Sequence, residues 1–465
     1  MNQINLSLLT QVTGDPFADT GAWALEVFQK KHPGEGILQL IERVAKIYVN
    51  QWDAKINPFF LNSTITQPAF QGERKIDETV KYFRGLLLET EPHQEGVCRI
   101  LGQRTKIFPA GRNNHIMSGS GTFINFHHAF EPGVMLSKEV LIRIFFVPLG
   151  AVFVGNRVAV ISCNYTKVEK LFVKKIVEEN LTRIATQTSE GIYKSPYGNP
   201  ANTLFASVSG WISEYDIPND ETIEVNLYHF TNFGASPEIT LYSFSARLFR
   251  FYRKVLNRAF VADWQRFVRS HYRPPKETVY REQDDAFFTE SKKVVNPVEE
   301  EAVKGFYNSI YTQLLAEKNI RALMAAWCAR QYEARRPFKF FHIATLYQTF
   351  LRDMKEETLR RIEHIADIVV NNDDKRKTWL SMLLRVKNEA SFRNFLIPLM
   401  REQNRQNVAE PVIGLRDYDH YFLSDGVYAR ETRDLILISI YEKLSERNIV
   451  EDTDVPDEVL TEEIN

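Results

Sequence analysis

Cysteine is nearly missing: only Cys98, Cys163 and Cys328 occur, far apart. Three separated thiols build neither a disulfide framework nor a complete four-ligand zinc site. Net charge is equally scarce, with a formal value of −1, which excludes a uniformly basic protein while leaving room for a basic patch balanced elsewhere. No long hydrophobic run exists either. The longest, "VLIRIFFVPLGAVFVG", carries Arg143 and Pro148 and is too short to span a bilayer. The start, "MNQINLSLLTQVTGDPF", has no basic segment followed by an apolar core, so no signal peptide is read and a cytoplasmic protein without membrane partners is expected.

The usual catalytic signatures are missing as well. In "GSGTF", Thr122 stands where a nucleotide-binding Walker loop needs lysine, and a dinucleotide fingerprint would need a third glycine. His115, His127 and His128 lack the helical spacing of a zinc-binding H-E-x-x-H and have no cysteine nearby. No adjacent His-Asp pair and no G-x-S-x-G elbow occurs. No cofactor is expected, and an enzyme would require acid and base groups converging from distant positions.

What is plentiful is aromatic: 32 Phe and 19 Tyr among 465 residues, serving first as core. The length calls for more than one domain, and 44% hydrophobic with 25% charged residues describes a folded chain. Helical spacing runs through 36–52, 76–89 and 167–187. Residues 139–163 are rich in Val, Ile and Phe and read as strands, broken at Gly150 and at a hairpin-like Gly155-Asn156; further strands are expected at 221–231 and 238–245. Residues 246–275 read as one basic amphipathic helix ended by Pro274-Pro275. After residue 299 the patterns are helical: 300–317, 319–335, 340–353, 355–371, 375–388 and 427–447. The expected architecture is α+β: a mixed body with short β-sheets over 1–275, a polar linker over 276–298, an all-α helical bundle over 299–450, and an acidic tail over 451–465.

Two stretches suggest binding. Between Arg247 and Arg281 stand ten Lys or Arg against two acids. Arg247, Arg250, Arg253, Lys254 and Arg258 fall within three turns among Phe249, Phe251, Tyr252 and Phe260, a composition suited to phosphates with packed or stacked aromatics. Lys375-Arg376-Lys377 and Arg335-Arg336 with Lys339 are smaller clusters of the same kind. The other stretch is "GRNNHIMSGSGTFINFHH" (111–128). Its glycines and serines, Ser118 and Ser120 included, allow close backbone approach to a partner. Asn113 and Asn114 have the groups to read a base edge, with Arg104, Lys106 and Arg112 holding flanking phosphates. An ordinary surface helix and an ordinary turn remain open readings of both stretches.

Three further segments carry a family resemblance: "TGDPFADTGAWAL" (13–25), "INFHHAFEPGVMLSKEVLIRIFFVPLGAVFVGNRVAVIS" (124–162) and "YHFTNFGASPEITLYSF" (228–244). In order and spacing they resemble the large subunit of the type I-B CRISPR Cascade, from residue 13 to about 250. Many relatives carry a zinc ribbon, but here Leu101 follows Cys98 where a second thiol would stand, and Leu136 and Glu139 occupy the other pair, so no zinc is expected. The resemblance implies a non-catalytic subunit of an RNA-guided antiviral ribonucleoprotein, binding guide RNA and double-stranded target DNA. It would recognise the short flanking motif (the PAM), help open the duplex and support the R-loop. Loop 111–121 then becomes the PAM-proximal element and the basic helix a backbone track. The C-terminal bundle would correspond to a small subunit on the displaced strand, also made separately from an internal start at Met324 or Met354. Partners would be the Cascade backbone and handle-end subunits, and a helicase-nuclease or, in transposon-associated systems, a transposition adaptor. Alternatives are another nucleic-acid-binding scaffold with a helical assembly domain, and an enzyme with a dispersed site.

Overall fold

Residues 13–21 show how densely local sequence is used. A short helix, α1 (Leu6–Thr10), leads to α2 (Pro16–Lys31). Asp15 caps α2 by accepting the Phe17 and Ala18 amides at 3.0 and 2.8 Å, and Pro16 takes the first helical position, where no amide proton is needed. Asp19, buried, turns back and accepts from the Thr13 amide (3.0 Å), the Thr13 hydroxyl (2.7 Å) and the Gly14 amide (2.8 Å). Burial raises the carboxyl above its ordinary range, while those bonds and Arg143, 3.8 Å away, pull it down. A Cβ on Gly21 would sit 2.0 Å from the Arg143 carbonyl oxygen, so glycine is what lets two helix backbones meet there.

The structure, a computed structural model, describes residues 4, 6–117, 133–215, 222–232, 237–291, 294–405 and 429–451. It is a mixed α+β protein, with small antiparallel sheets in the first ~310 residues and mainly helices after them. The chain divides into two compact units, Met1–Ser245 and Ala246–Asn465.

In the first unit, α3 (Ile37–Lys46) and α4 (Glu73–Leu88) precede a three-stranded sheet of β1 (Gln94–Val97), β2 (Arg104–Ala110) and β3 (Val134–Leu136). Next come α5 (Lys138–Phe146) and a tight turn through Val147–Gly150. A second, four-stranded antiparallel sheet has the order β4 (Val152–Val154), β5 (Arg157–Cys163), β6 (Val225–Thr231), β7 (Glu238–Phe244). Its register sets Val158 against Phe230 and Cys163 against Val225. Gly155, at φ +60°, makes the expected hairpin turn between β4 and β5. Helices α6 (Thr166–Ala185) and α7 (Pro200–Glu214) complete the unit. Phe17 joins α2 to the sheet, edge-on to Phe230 at 5.0 Å.

The strand expected at the start of 139–163 is a helix. Glu139 to Phe146 are all buried, so α5 has no polar side to give it a helical period, and the run looks like a buried strand. Ser137 starts it, its hydroxyl accepting the Val140 amide.

In the second unit the expected single basic helix is two, α8 (Ala246–Val255) and α9 (Val261–Arg269). Asn257 breaks it: its carbonyl oxygen accepts the Phe260 and Val261 amides at 2.9 Å each, and its side chain accepts the Ala259 amide at 3.1 Å. A two-stranded pair joins β8 (Tyr272–Arg273) to β12 (Tyr307–Asn308). Residues 276–298, read as a linker, are largely sheet: β9 (Thr278–Arg281), β10 (Ala286–Ser291) and β11 (Val294–Pro297) pair antiparallel in the order β11-β10-β9. Their polar exterior hid Phe287, fully buried and packed on Tyr280 and Phe306.

The remaining helices are α10 (Glu300–Lys304), α11 (Ser309–Leu315), α12 (Arg321–Glu333), α13 (Phe341–Leu351), α14 (Glu356–Val370), α15 (Arg376–Leu384), α16 (Glu389–Arg405) and α17 (Ala429–Glu446). The sequence patterns above do not include α16, which carries Pro398 inside it. Helix α17 is central: Thr432 to Tyr441 are buried without interruption, and α12, α13 and α14 pack on it. Met324 is buried within α12, and Met354 lies between α13 and α14. Among the described residues no helix is long and apolar enough to cross a membrane.

Candidate nucleic-acid interface

The first candidate begins where β2 runs into a turn at Gly111–Asn114. Asn114 builds that turn. Its side-chain oxygen accepts the Gly111 amide at 2.8 Å, which directs its Nδ2 to donate to the Tyr82 hydroxyl at 2.7 Å. The Arg112 carbonyl accepts the Leu61 amide at 2.7 Å. Asn113, beside them, is exposed. The two asparagines therefore divide: Asn114 is committed to the fold, and Asn113 presents its amide to solvent.

The flanking cations divide in the same way. Arg104 is exposed at the start of β2. Lys106 pairs with Glu89 at 2.5 Å, and Lys138 reaches the other carboxylate oxygen at 2.8 Å. Hydrogen bonds from both ammonium groups hold the Glu89 carboxyl down to about 2. Lys106 thus neutralises a carboxylate of its own chain. Arg112 is half-buried. Ser118 and Ser120, with His127 and His128, lie outside the described residues. His115 is buried, and desolvation pushes its ring down to about 4, so at neutral pH it is uncharged packing.

Beneath the turn is a cleft with about 580 Å³ of empty space, walled by Phe60, Phe83 and Phe145 and edged by Thr64, Tyr82 and Asn113. The sequence reading named only Asn113 among these. Thr79, Tyr82 and Phe83, at i, i+3 and i+4 of α4, share a helix face, which was a legible signal. That residues 111–114 close over this face was not.

The second candidate is α8. Leu248, Phe249, Phe251, Tyr252 and Val255 are buried, so the aromatics form core and are not a stacking surface. Phe260 lies parallel to His342, ring centres 4.4 Å apart. Arg250 and Lys254 stand one turn apart on the exposed face, and Arg258 follows beyond the last turn, also exposed. None of these three has an ion-pair partner among the described residues. Arg247 begins the same row but donates to the Phe350 carbonyl at 2.9 Å and pairs with Asp353 at 2.5 Å. Arg253 is half-buried.

The 375–377 cluster is different. Arg376 is buried, donates twice to the Val370 carbonyl at 3.0 and 2.8 Å, and bonds Asp373 and Glu451. Lys375 bonds Glu402. Only Lys377 is exposed without a described partner. Arg376 and Lys375 accordingly hold the bundle together and leave the expected backbone track with one lysine here. In the other small cluster Arg335 and Lys339 are exposed, and Lys339 lies 3.7 Å from Glu446.

The would-be zinc segments do meet. Cys98 Sγ accepts the Ser137 amide at 3.3 Å, and Cys98, Leu101 and Leu136 are each buried. Burial raises the thiols of Cys163, to about 12, and of Cys328, which leaves both protonated. No group of three His, Cys, Asp or Glu poised for a metal occurs among the described residues. In comparisons with known proteins, no family model matches the chain, and no curated protein and no solved structure matches it.

Proposed function

We propose that the chain is a non-catalytic nucleic-acid-binding protein, acting in the cytoplasm as the large subunit of an RNA-guided complex of the type I-B Cascade kind. The observation that carries the nucleic-acid part is the row Arg250, Lys254, Arg258. Three exposed cations, Arg250 and Lys254 one turn apart on α8 and Arg258 just past its end, are backed by buried aromatics and unneutralised by described neighbours, and such a surface suits phosphates. The three sequence segments resembling the Cascade large subunit supply the more specific part: PAM recognition, duplex opening and R-loop support beside guide RNA and backbone subunits. Within that reading Asn113 is the residue free to meet a base edge and Arg104 the cation free to hold a nearby phosphate. Asn114, Lys106, Lys375 and Arg376 serve the fold.

The test is a salt titration of binding to guide RNA, duplex DNA and single-stranded DNA, comparing the parent chain with the triple variant Arg250→Glu, Lys254→Glu, Arg258→Glu. The expected result is weaker binding to all sequences alike and a shallower dependence of log affinity on log salt, by about 2–3 in slope. Unchanged affinity and slope would remove α8 from the interface. Purification from the native operon addresses the complex: a small RNA and several copies of a backbone subunit are expected with the chain, and its recovery alone would overturn the Cascade assignment.

A further inference from the structure

The cleft beneath the 111–114 turn has a defined hydrogen-bonding polarity. Tyr82 accepts from Asn114, whose orientation is set by the Gly111 amide, so the Tyr82 hydroxyl proton is available to donate elsewhere. On another part of the lining, Thr79 donates its one hydroxyl proton to the Lys75 carbonyl at 2.7 Å. Across the 2.8 Å contact between the two threonines Thr79 must therefore accept, and Thr64 donates. Thr64 Oγ1 is left with acceptor capacity. One fixed donor and one fixed acceptor thus border a space walled by three phenyl rings, with the Asn113 amide, itself donor and acceptor, beside them. Among the described residues no Asp, Glu, Lys, Arg or His lines the cleft, and Tyr82 stays neutral because burial pushes its hydroxyl up to about 12.

Such a lining rejects an ion and accepts a neutral ring with polar groups on its edge. The 580 Å³ includes space open to solvent, so the cleft is a recess that a flat ring can enter from the surface. We infer that this cleft receives the base of an unpaired nucleotide, its faces against Phe60, Phe83 and Phe145 and its edge read by Tyr82 and Thr64, with Asn113 contributing from the rim. The choice of a nucleobase among neutral heterocycles rests on the nucleic-acid reading above. Base-on-aromatic contact with polar edge readout is how single strands are generally recognised.

The test uses the full chain and a fluorescent aminopurine, offered as the free nucleoside, within a single-stranded oligonucleotide, and against a matched oligonucleotide lacking the base at that position. The base-bearing strand should bind about tenfold more tightly than the abasic one, with its fluorescence quenched. Tyr82→Phe and Thr64→Val, near-isosteric changes checked by melting, should each shrink that advantage about fivefold. Running the strand as DNA and as RNA tells whether target or guide supplies the base; tighter base-dependent binding in either supports the pocket. Salt-dependent binding with no difference between base-bearing and abasic strands overturns the pocket and leaves the phosphate track standing. Nucleoside binding without salt-dependent strand binding supports the pocket and overturns the track.

Discussion

Two basic clusters, both conspicuous in the sequence, have opposite fates. On α8 and just past its end, Arg250, Lys254 and Arg258 are exposed and have no described ion-pair partner. At the start of α15, Arg376 sits between the last turn of α14 and Glu451 and spends its donors on the Val370 carbonyl and on carboxylates. The difference lies in spacing. Cations four apart on an amphipathic helix stay on one solvent side, whereas three consecutive cations at a helix start point in different directions, and at least one turns inward. Density of charge is therefore a poorer guide to an unneutralised cationic surface than its period.

The comparison can be broken most severely at Arg376. Arg376→Met should cost about 3 kcal/mol of stability, since it strands the Val370 carbonyl and Glu451, and should leave the salt dependence of nucleic-acid binding intact; denaturant melts and the salt titration measure the two. Lys377→Ala, next door, should stay within about 0.5 kcal/mol. Matching α8-type behaviour at Arg376, a lost salt slope with unchanged stability, would refute the distinction.

The paired asparagines sharpen the same contrast on a smaller scale. Asn114→Ala removes the partner of both the Gly111 amide and the Tyr82 hydroxyl and should cost about 1–2 kcal/mol. Asn113→Ala should be neutral in stability, within about 0.5 kcal/mol, while altering discrimination among flanking sequences. The least effect near neutrality belongs to His115. Its folded ring resists protonation down to about 4, so as pH falls below the ordinary 6.5 the unfolded chain takes up the proton first and stability declines until about 4. His115→Leu should flatten that part of the stability–pH curve, and an unchanged curve would show that the ring is not the group responsible.

Much of this fold is legible in the sequence wherever one side of an element meets water. α6, β6, β7 and the Gly155 turn fall where periodicity and turn chemistry place them. α5, an apolar run buried on every side, loses its period and its identity with it. The 276–298 segment fails for a different reason: its short strands are mostly polar, and the residue they enclose, Phe287, is packed also by Phe306, beyond the segment. At the candidate interface, spacing reveals the α8 row. The split between Asn113 and Asn114 depends on Tyr82, 32 positions away from Asn114, and is invisible locally.

The clasp around Asp19, Gly21 and Arg143 also sets an order of events during synthesis. The Gln11 and Leu8 carbonyls are held by the Arg143 guanidinium, 132 positions after Gln11. At typical translation rates of about 5–20 residues per second, the first helices wait on the order of ten seconds for the residue that anchors them. Throughout that interval α2 exists without the helix its glycine was shaped to meet, and its apolar face is the nascent chain's first surface in need of protection.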